Sequence, residues 1–570
     1  MNKKQSSILL GIILLICGIF LLKNNLFNTT KKLRLAIASE IDTFDPAQAF
    51  NDDSLRVLSQ VHEPLFQYHY LKRPYEILPL LAETMPKISK DGLEYTIKIK
   101  SNVRYHPHQA FQGIRTVKAI DFVNQVKRLA FKPLKSTGRW IFSGRMLGFD
   151  EFSNYVGQDY ERLFSTKLKG IEAIDDHTLK IRLISADAKM IYFLAMNFVV
   201  PVPMEIISYY KGDLSSIMIG TGPYKLQSWS VNDNILLRKF KSYRGDDYPS
   251  SGDRYANTNG LLDDRQKQIP FLDEISFKII VESKKRWNLF MKGKLDAIDI
   301  PKNYLSKALS SSEKLKDKDI HIKHFPSLSS RWLGFNMRDK VITKNIRKAI
   351  SYAINYDQYI EVLFNNTNLS ANSIYAPGIP GYDPSRTLPY EFNLDKARAL
   401  MKKAGFEGGR GFPSLTYSTR SSTQSSLAEA KLIQSQLSEI GIKVKIKILE
   451  FKEFLKKGRA GELQIFTDQW IYDYPDAENL VQLLITKNHP GINKAAYSNI
   501  LIDSLYNKLI NTTEVDAKKN ILYDIENQVN KDLPWIKLTF ESTYILHYGY
   551  VNNWRSSSVM RNFLKYIKLK

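Results

Sequence analysis

The chain has 570 residues, 43% of them hydrophobic, and a single cysteine, Cys17. That length exceeds one ordinary core and implies roughly two to four domains, while the lone cysteine excludes an intramolecular disulfide and any thiolate metal cluster. The formal net charge is +24, but the lysines are spread along the chain with no sustained basic block and no helix-turn-helix, RRM or zinc-finger pattern. They read as solvated surface, and no nucleic acid partner is expected.

Lys3 and Lys4 precede an apolar run over residues 8–22, closed by Lys23 and an Asn-rich stretch, which is the pattern of an export segment. As a helix the run spans about 22 Å, short of a hydrocarbon core of about 30 Å. Three fates stay open: a retained anchor, lipidation at Cys17, or cleavage. Leu14-Leu15-Ile16-Cys17 looks like a bacterial lipobox with Ile16 where a small residue is wanted, and no small-x-small cleavage pattern follows. In each case the remainder faces away from the cytoplasm, and association with the membrane through this segment is expected.

Beyond it, Leu33-Arg34-Leu35-Ala36-Ile37 alternates as a strand and runs into the turn cluster Asp42-Thr43-Phe44-Asp45-Pro46. Residues 95–100 alternate with period two, and 118–129 carry the spacing of an amphipathic helix. Further strands are expected near 179–183, 235–238 and 275–280, and helices near 286–292, 346–355, 395–404 and 428–440. Gly441 follows the last helix and leads directly into Lys443-Val444-Lys445-Ile446-Lys447-Ile448, a helix, glycine cap and strand in succession. The fold class is α/β.

A strand-like run then enters Asp468-Gln469-Trp470-Ile471-Tyr472-Asp473-Tyr474-Pro475-Asp476, where Pro475 ends the ladder. An acid at that strand end, flanked by aromatic rings, can accept charge-assisted hydrogen bonds from a ligand ammonium. Equally, Asp473 or Asp476 could cap the helix that follows.

Read together, several segments resemble the family 5 extracellular solute-binding proteins of ABC transporters, the group that contains the oligopeptide- and dipeptide-binding proteins. The resemblance runs through Ile41-Asp42-Thr43-Phe44-Asp45-Pro46, Val61-His62-Glu63-Pro64-Leu65-Phe66, and Asp91-Gly92 with the strand after it. It continues in Ile219-Gly220-Thr221-Gly222-Pro223-Tyr224, Pro270-Phe271-Leu272-Asp273-Glu274-Ile275, Gly334-Phe335-Asn336 with the helix after it, Asp473-Tyr474-Pro475-Asp476, and Asp532-Leu533-Pro534-Trp535. The Asp-Gly pair that the family carries after Val103-Arg104-Tyr105-His106-Pro107 is absent.

The resemblance implies a two-lobed, type II periplasmic-binding-protein-like clam shell with an extra inserted domain. After the signal or anchor segment 1–30, a ligand-facing domain of lobe 1 would combine 33–62, 201–285 and 526–570. The inserted domain would be 63–200 and lobe 2 would be 286–525. Asp473 would hold a peptide α-ammonium, while the backbone of 38–40, including Ser39 and Glu40, and of Gln469, Trp470 and Ile471 would pair with an extended ligand. Trp470 and Tyr472 would line side-chain pockets or serve as plain core, and Arg331 or Arg338 would hold the ligand carboxylate or lie on the surface. The implied function is capture of oligo- or dipeptides by a monomer that delivers them to permease subunits in the inner membrane. A metal complex or another solute, or a non-transport adhesin or chaperone, are the alternatives. His106-Pro107-His108 reads as a solvent-exposed loop and not a metal site. No Gly-x-Ser-x-Gly, His-Glu-x-x-His or reactive cysteine marks an enzyme, and no cofactor is expected.

Overall fold

The computed structural model describes residues 30–420, 422–512 and 514–570. The export segment with Cys17 lies outside the described residues, among which no helix is long and apolar enough to cross a membrane.

Three domains carry the described chain. The first is built on a sheet in the order Lys32–Ile37, Glu274–Ile279, Asn234–Lys239, Tyr224–Ser230. Leu33, Leu35, Ile37, Ile235, Leu237, Ile275 and Phe277 alternate inward and are buried together in one core, as the period-two pattern predicts. The inserted domain holds the sheet Lys87–Ile88, Glu94–Lys98, Thr178–Arg182, Ile171–Asp175, backed by the amphipathic helix Ala119–Ala130, and has a core of its own. The largest sheet has six strands in the order Leu369–Ser370, Trp535–Phe540, Ser329–Phe335, Ile465–Ile471, Leu415–Thr419, Val444–Ile448.

A three-stranded sheet, Ala297–Asp299, Ser542–Tyr548, Ile320–Pro326, joins the lobes. The chain leaves Ile320–Pro326 for the six-stranded sheet across residues 327–328 and returns from Trp535–Phe540 across Glu541, and the two crossings are tied where Ser327 N–H donates to the Glu541 carbonyl at 2.8 Å. This moves the expected division. Residues 286–326 pack on the joining sheet and side with lobe 1, and the strand Trp535–Phe540, placed by expectation in the first lobe, belongs to the second. It is buried on both faces and pairs Leu333 with Ile536, so its apolar run fits only the middle of a large sheet.

Two sequence motifs meet in one joint of lobe 1. A Cβ on Gly220 would lie 2.0 Å from the Val61 carbonyl oxygen and one on Gly222 2.6 Å from that of Gln60, so the Gly-Thr-Gly turn packs backbone on backbone against the end of 61–66. Between the glycines Thr221 Oγ1 donates to Glu63 Oε2 at 3.0 Å, and Arg244 closes a two-pronged pair on the same buried carboxylate at 2.7 and 3.0 Å. His106, expected in an exposed loop, is instead 1% exposed. Its Nε2 donates to the Gly222 carbonyl at 2.9 Å, which makes it part of the joint. Burial pushes its imidazole down to about 4, so it stays neutral.

Gly220→Ala is expected to lower stability by about 1–3 kcal/mol or more, because the new methyl meets backbone that cannot give way; a urea midpoint equal to that of the parent chain would contradict this packing.

Candidate functional site

The strand Ile465–Ile471 pairs with Ser329–Phe335 along its whole length, but with Leu415–Thr419 only through Ile465 and Phe466. Among the described residues, then, 467–471 have no neighbouring strand on that side. An inner strand of a six-stranded sheet thus ends in an open edge, with main-chain donors and acceptors available to another extended chain.

Immediately after this edge the chain turns at Asp473. The turn is held by Asn479, itself 1% exposed: its Oδ1 accepts from Trp470 Nε1 at 2.7 Å and from Asp473 N–H at 3.2 Å, and its Nδ2 donates to Asp473 Oδ2 at 3.4 Å. Neither acid is the N-cap of the following helix Glu478–Val481, which is Ala477, but Asp476 Oδ1 accepts from the Glu478 N–H at 2.9 Å. Asp473 is left without a cation within ion-pair distance among the described residues, and burial pushes its carboxyl above the usual range, with the Asn479 hydrogen bond a partial offset.

Asp473 opens into a cavity of about 480 Å³ between the lobes. Ile471, Tyr472 and Asp473 line it from the six-stranded side, Trp140 and Asn197 from the inserted domain, and Arg561 from the C-terminal loop. Asp473 is its only acid and Arg561 its only lysine or arginine among the described residues. Arg561 Nε donates to Asp52 Oδ1 at 2.8 Å, an exposed contact that leaves the guanidinium two further nitrogens. Around the rim, the motif joins the lobes directly: Tyr474 stacks on Tyr192 at 5.4 Å, Tyr192 OH donates to Asp476 Oδ2 at 2.9 Å, and Lys189 reaches Glu478 at 3.4 Å.

The other expected site residues divide. Ile471 stands 68% exposed at the cavity mouth. Tyr472 lines the cavity yet is buried in the core of lobe 2, where its hydroxyl accepts from Ala376 N–H at 3.5 Å. Gln469 and Trp470 lie on the open strand but not in that cavity; Trp470 faces a smaller one of about 240 Å³ with Trp332 and Trp535. Ser39 is tied up by Asp53, which accepts from both its N–H and its Oγ at 2.8 Å, and neither it nor exposed Glu40 lines the cavity. Arg331 does not reach the cavity at all. Its guanidinium is bound to Glu429 at 2.6 Å and to Tyr359 at 3.1 Å inside lobe 2, so its charge is matched by a buried acid; Arg338 is exposed. Arg561 and Asn479 were not expected, since neither sits in a motif and only the fold brings them to Asp473.

Residues 76–491 match the sequence model described as Bacterial extracellular solute-binding proteins, family 5 Middle. The chain belongs to this family. The solute-binding protein is 25% identical over 527 residues to the glutathione-binding protein GsiB of Salmonella paratyphi A, covering 91% of this chain and 90% of that one. It is 24% identical over 420 residues to a dipeptide-binding protein of Escherichia coli K12, covering 72% and 70%. Among solved structures it resembles the periplasmic binding protein DppA from Helicobacter pylori in complex with the peptide STSA, with a TM-score of 0.64, 24% identity and coverage of 94% and 98%. It also resembles the murein tripeptide binding protein MppA in its unliganded open form, with a TM-score of 0.77, 20% identity and coverage of 95% and 97%. These likenesses agree with the two-lobed α/β architecture.

Removing Arg331 is expected to act on the fold. Arg331→Gln strands buried Glu429 and costs about 3–5 kcal/mol of stability, while ligand affinity of the folded fraction stays put; a folded, equally stable variant with lost affinity would reverse the assignment.

Proposed function

We propose that this protein is the extracytoplasmic solute-binding component of an ABC importer and that it captures short peptides in the interlobe cavity and hands them, unaltered, to a membrane permease. The export segment would hold it at the membrane surface, as a retained anchor. The observation that carries the reading is a cavity with one acid and one cation set beside an unpaired strand edge. A zwitterionic peptide presents the complementary set: an ammonium for Asp473, a carboxylate for Arg561, and between them main-chain groups for 467–471, which recognise any sequence because every residue offers the same donor and acceptor. A volume of about 480 Å³ falls in the range of about 300–1,000 Å³ that suits small ligands. The names of the relatives, which refer to glutathione, dipeptides and oligopeptides, support the same class.

Calorimetry with a peptide and its N-acetylated and C-amidated forms tests this. Asp473→Ala is expected to weaken the free peptide by about two to three decades in Kd. Acetylation should cost the parent protein a similar factor and cost the variant nothing further, because the same contact is already gone. Arg561→Gln paired with the amidated peptide should behave likewise. Full additivity of variant and modification would remove Asp473 and Arg561 from these roles.

Acid adds a signed expectation. Only the ionised Asp473 attracts an ammonium, and its carboxyl titrates above the usual range in the empty site; affinity therefore falls on acidification at a higher pH than an ordinary aspartate, near about 3.9, would require. The same raised pKa means the empty fold favours the protonated form, so Asp473→Asn should melt no lower than the parent chain without ligand. A lower melting temperature would show that the carboxylate is needed by the fold instead.

A further inference from the structure

A second cavity is larger than the one that holds Asp473. A groove of about 820 Å³ lies on the joining sheet and shares no lining residue with the interlobe cavity. The loop 556–558 separates them, with Ser556 lining the groove and Ser558 the cavity. Its floor is the face of the two crossing strands that presents His321, Lys323 and His547, with His321 and His547 opposite one another in register and stacked at 5.6 Å. Its walls carry Arg73 and Arg555 from lobe 1 and Gly378 from lobe 2, which is tied to Tyr75 N–H at 3.4 Å.

The charge balance of this groove is one-sided. No Asp or Glu side chain lines it. Arg555 is neutralised from behind by Asp253 at 2.5 Å, and Asp319 meets His321 at 3.1 Å at the rim. Three lining cations are left over, exposed Lys570 and two that are half-buried. Arg73 is half-buried, lies over the Tyr75 ring at 3.9 Å and donates to the carbonyls of Tyr70, Lys72 and Ser556, with no carboxylate within ion-pair distance among the described residues. Lys323 is half-buried and has no ion pair among the described residues. Beside them His547 is 4% exposed and bonds through Nδ1 to the Tyr548 carbonyl at 2.9 Å, while its Nε2, closed off from solvent so that a ligand reaches it only if its surroundings shift, has no partner among the described residues. Half-buried cations without a counter-ion and a buried ring nitrogen without a hydrogen bond carry a free-energy cost that a ligand can partly recover.

We propose that this groove is a second ligand site, for a molecule bearing a phosphate monoester or free phosphate. The donor set selects that chemistry. Arg73 offers a planar fork and Lys323 a point charge, both suited to an oxyanion. The unpartnered Nε2 of neutral His547 is an acceptor, and a phosphate that retains one proton supplies both oxyanions for the cations and a P–OH for the imidazole, which sulfate at neutral pH does not. Because the site touches both lobes and rests on the strands that join them, occupancy favours whichever lobe arrangement fits the anion, and so changes peptide affinity at the other cavity.

Inorganic phosphate is titrated calorimetrically into the protein at pH 7 in low chloride, with and without saturating dipeptide, and sulfate is titrated in parallel. Saturable phosphate binding that dipeptide does not displace and sulfate does not match is expected, with Lys323→Gln and Arg73→Gln each weakening it about tenfold. Lys323→Gln should leave dipeptide affinity in phosphate-free buffer unchanged, which keeps the result separate from any failure of the peptide reading and from misfolding. Flotation with vesicles of phosphatidylcholine containing phosphatidic acid, lost in Lys323→Gln, would name a lipid headgroup as the source; phosphate binding without flotation would name a free solute. Absence of both, equal binding of sulfate, or binding indifferent to the two substitutions overturns the proposal.

Discussion

Everything functional in this molecule depends on the chain crossing between its two large sheets at a pair of adjacent points. Residues 327–328 and Glu541 are bound to each other by a main-chain hydrogen bond, so the lobes share a narrow axis and little other continuous backbone. A two-strand connection of this kind resists separation and twist far more than it resists bending, since bending needs dihedral change at only a few positions. The interlobe cavity and the basic groove lie on either side of the loop 556–558, next to that axis. Binding in one alters the geometry of the other by the only motion the connection permits.

Charge compensation separates structural acids from the candidate ligand acid. Asp45 is held by Arg128 at 2.5 Å, Glu63 by Arg244 at 2.7 Å, Glu429 by Arg331 at 2.6 Å, Asp468 by Lys494 at 2.6 Å, and Glu526 by Arg386. Each of these pairs lies within one rigid unit or pins two together, and each would cost several kcal/mol to break on one side. Asp473 sits at the interlobe cavity in a partly desolvated turn, with an amide as its side-chain partner and no cation within ion-pair distance among the described residues. An acid without a cation at the mouth of a cavity is one that something from outside can complete, and the same asymmetry with opposite sign marks Arg73 and Lys323 at the groove.

What the sequence disclosed follows from which interactions are local. Period-two runs such as Leu33 to Ile37 and Lys443 to Ile448 became strands because alternation records a buried face directly. Asp473 could be singled out because its strand, its aromatic neighbours and Pro475 lie within a few residues. Arg331 misled because a cation beside a strand looks the same whether it faces a ligand or a buried acid, and Glu429 is 98 positions away. Arg561 and Asn479 carry no local signal; one stands in a C-terminal loop, the other in a short helix, and both acquire meaning only through long-range packing. The lobe boundary was misplaced for the same reason, since the run Trp535 to Phe540 fits either sheet until its partner is known.

The Asp473-Tyr474-Pro475-Asp476 turn shows how four residues can serve four neighbours at once. The chain bends after the strand ends at Ile471, and Asp473 lines the cavity while Tyr474 packs into the core of the inserted domain against Tyr192 and Phe193. The ladder has already ended at Ile471, and Asp476 accepts from the Glu478 N–H at the start of the helix as well as from Tyr192 and Lys518. A ligand drawn to Asp473 therefore pulls on a turn already attached to the opposite lobe. The acid proposed to read the ammonium and the tyrosine that packs on the inserted domain are adjacent in the chain, so on that reading no longer relay is needed for capture to be felt as a change in how the lobes meet.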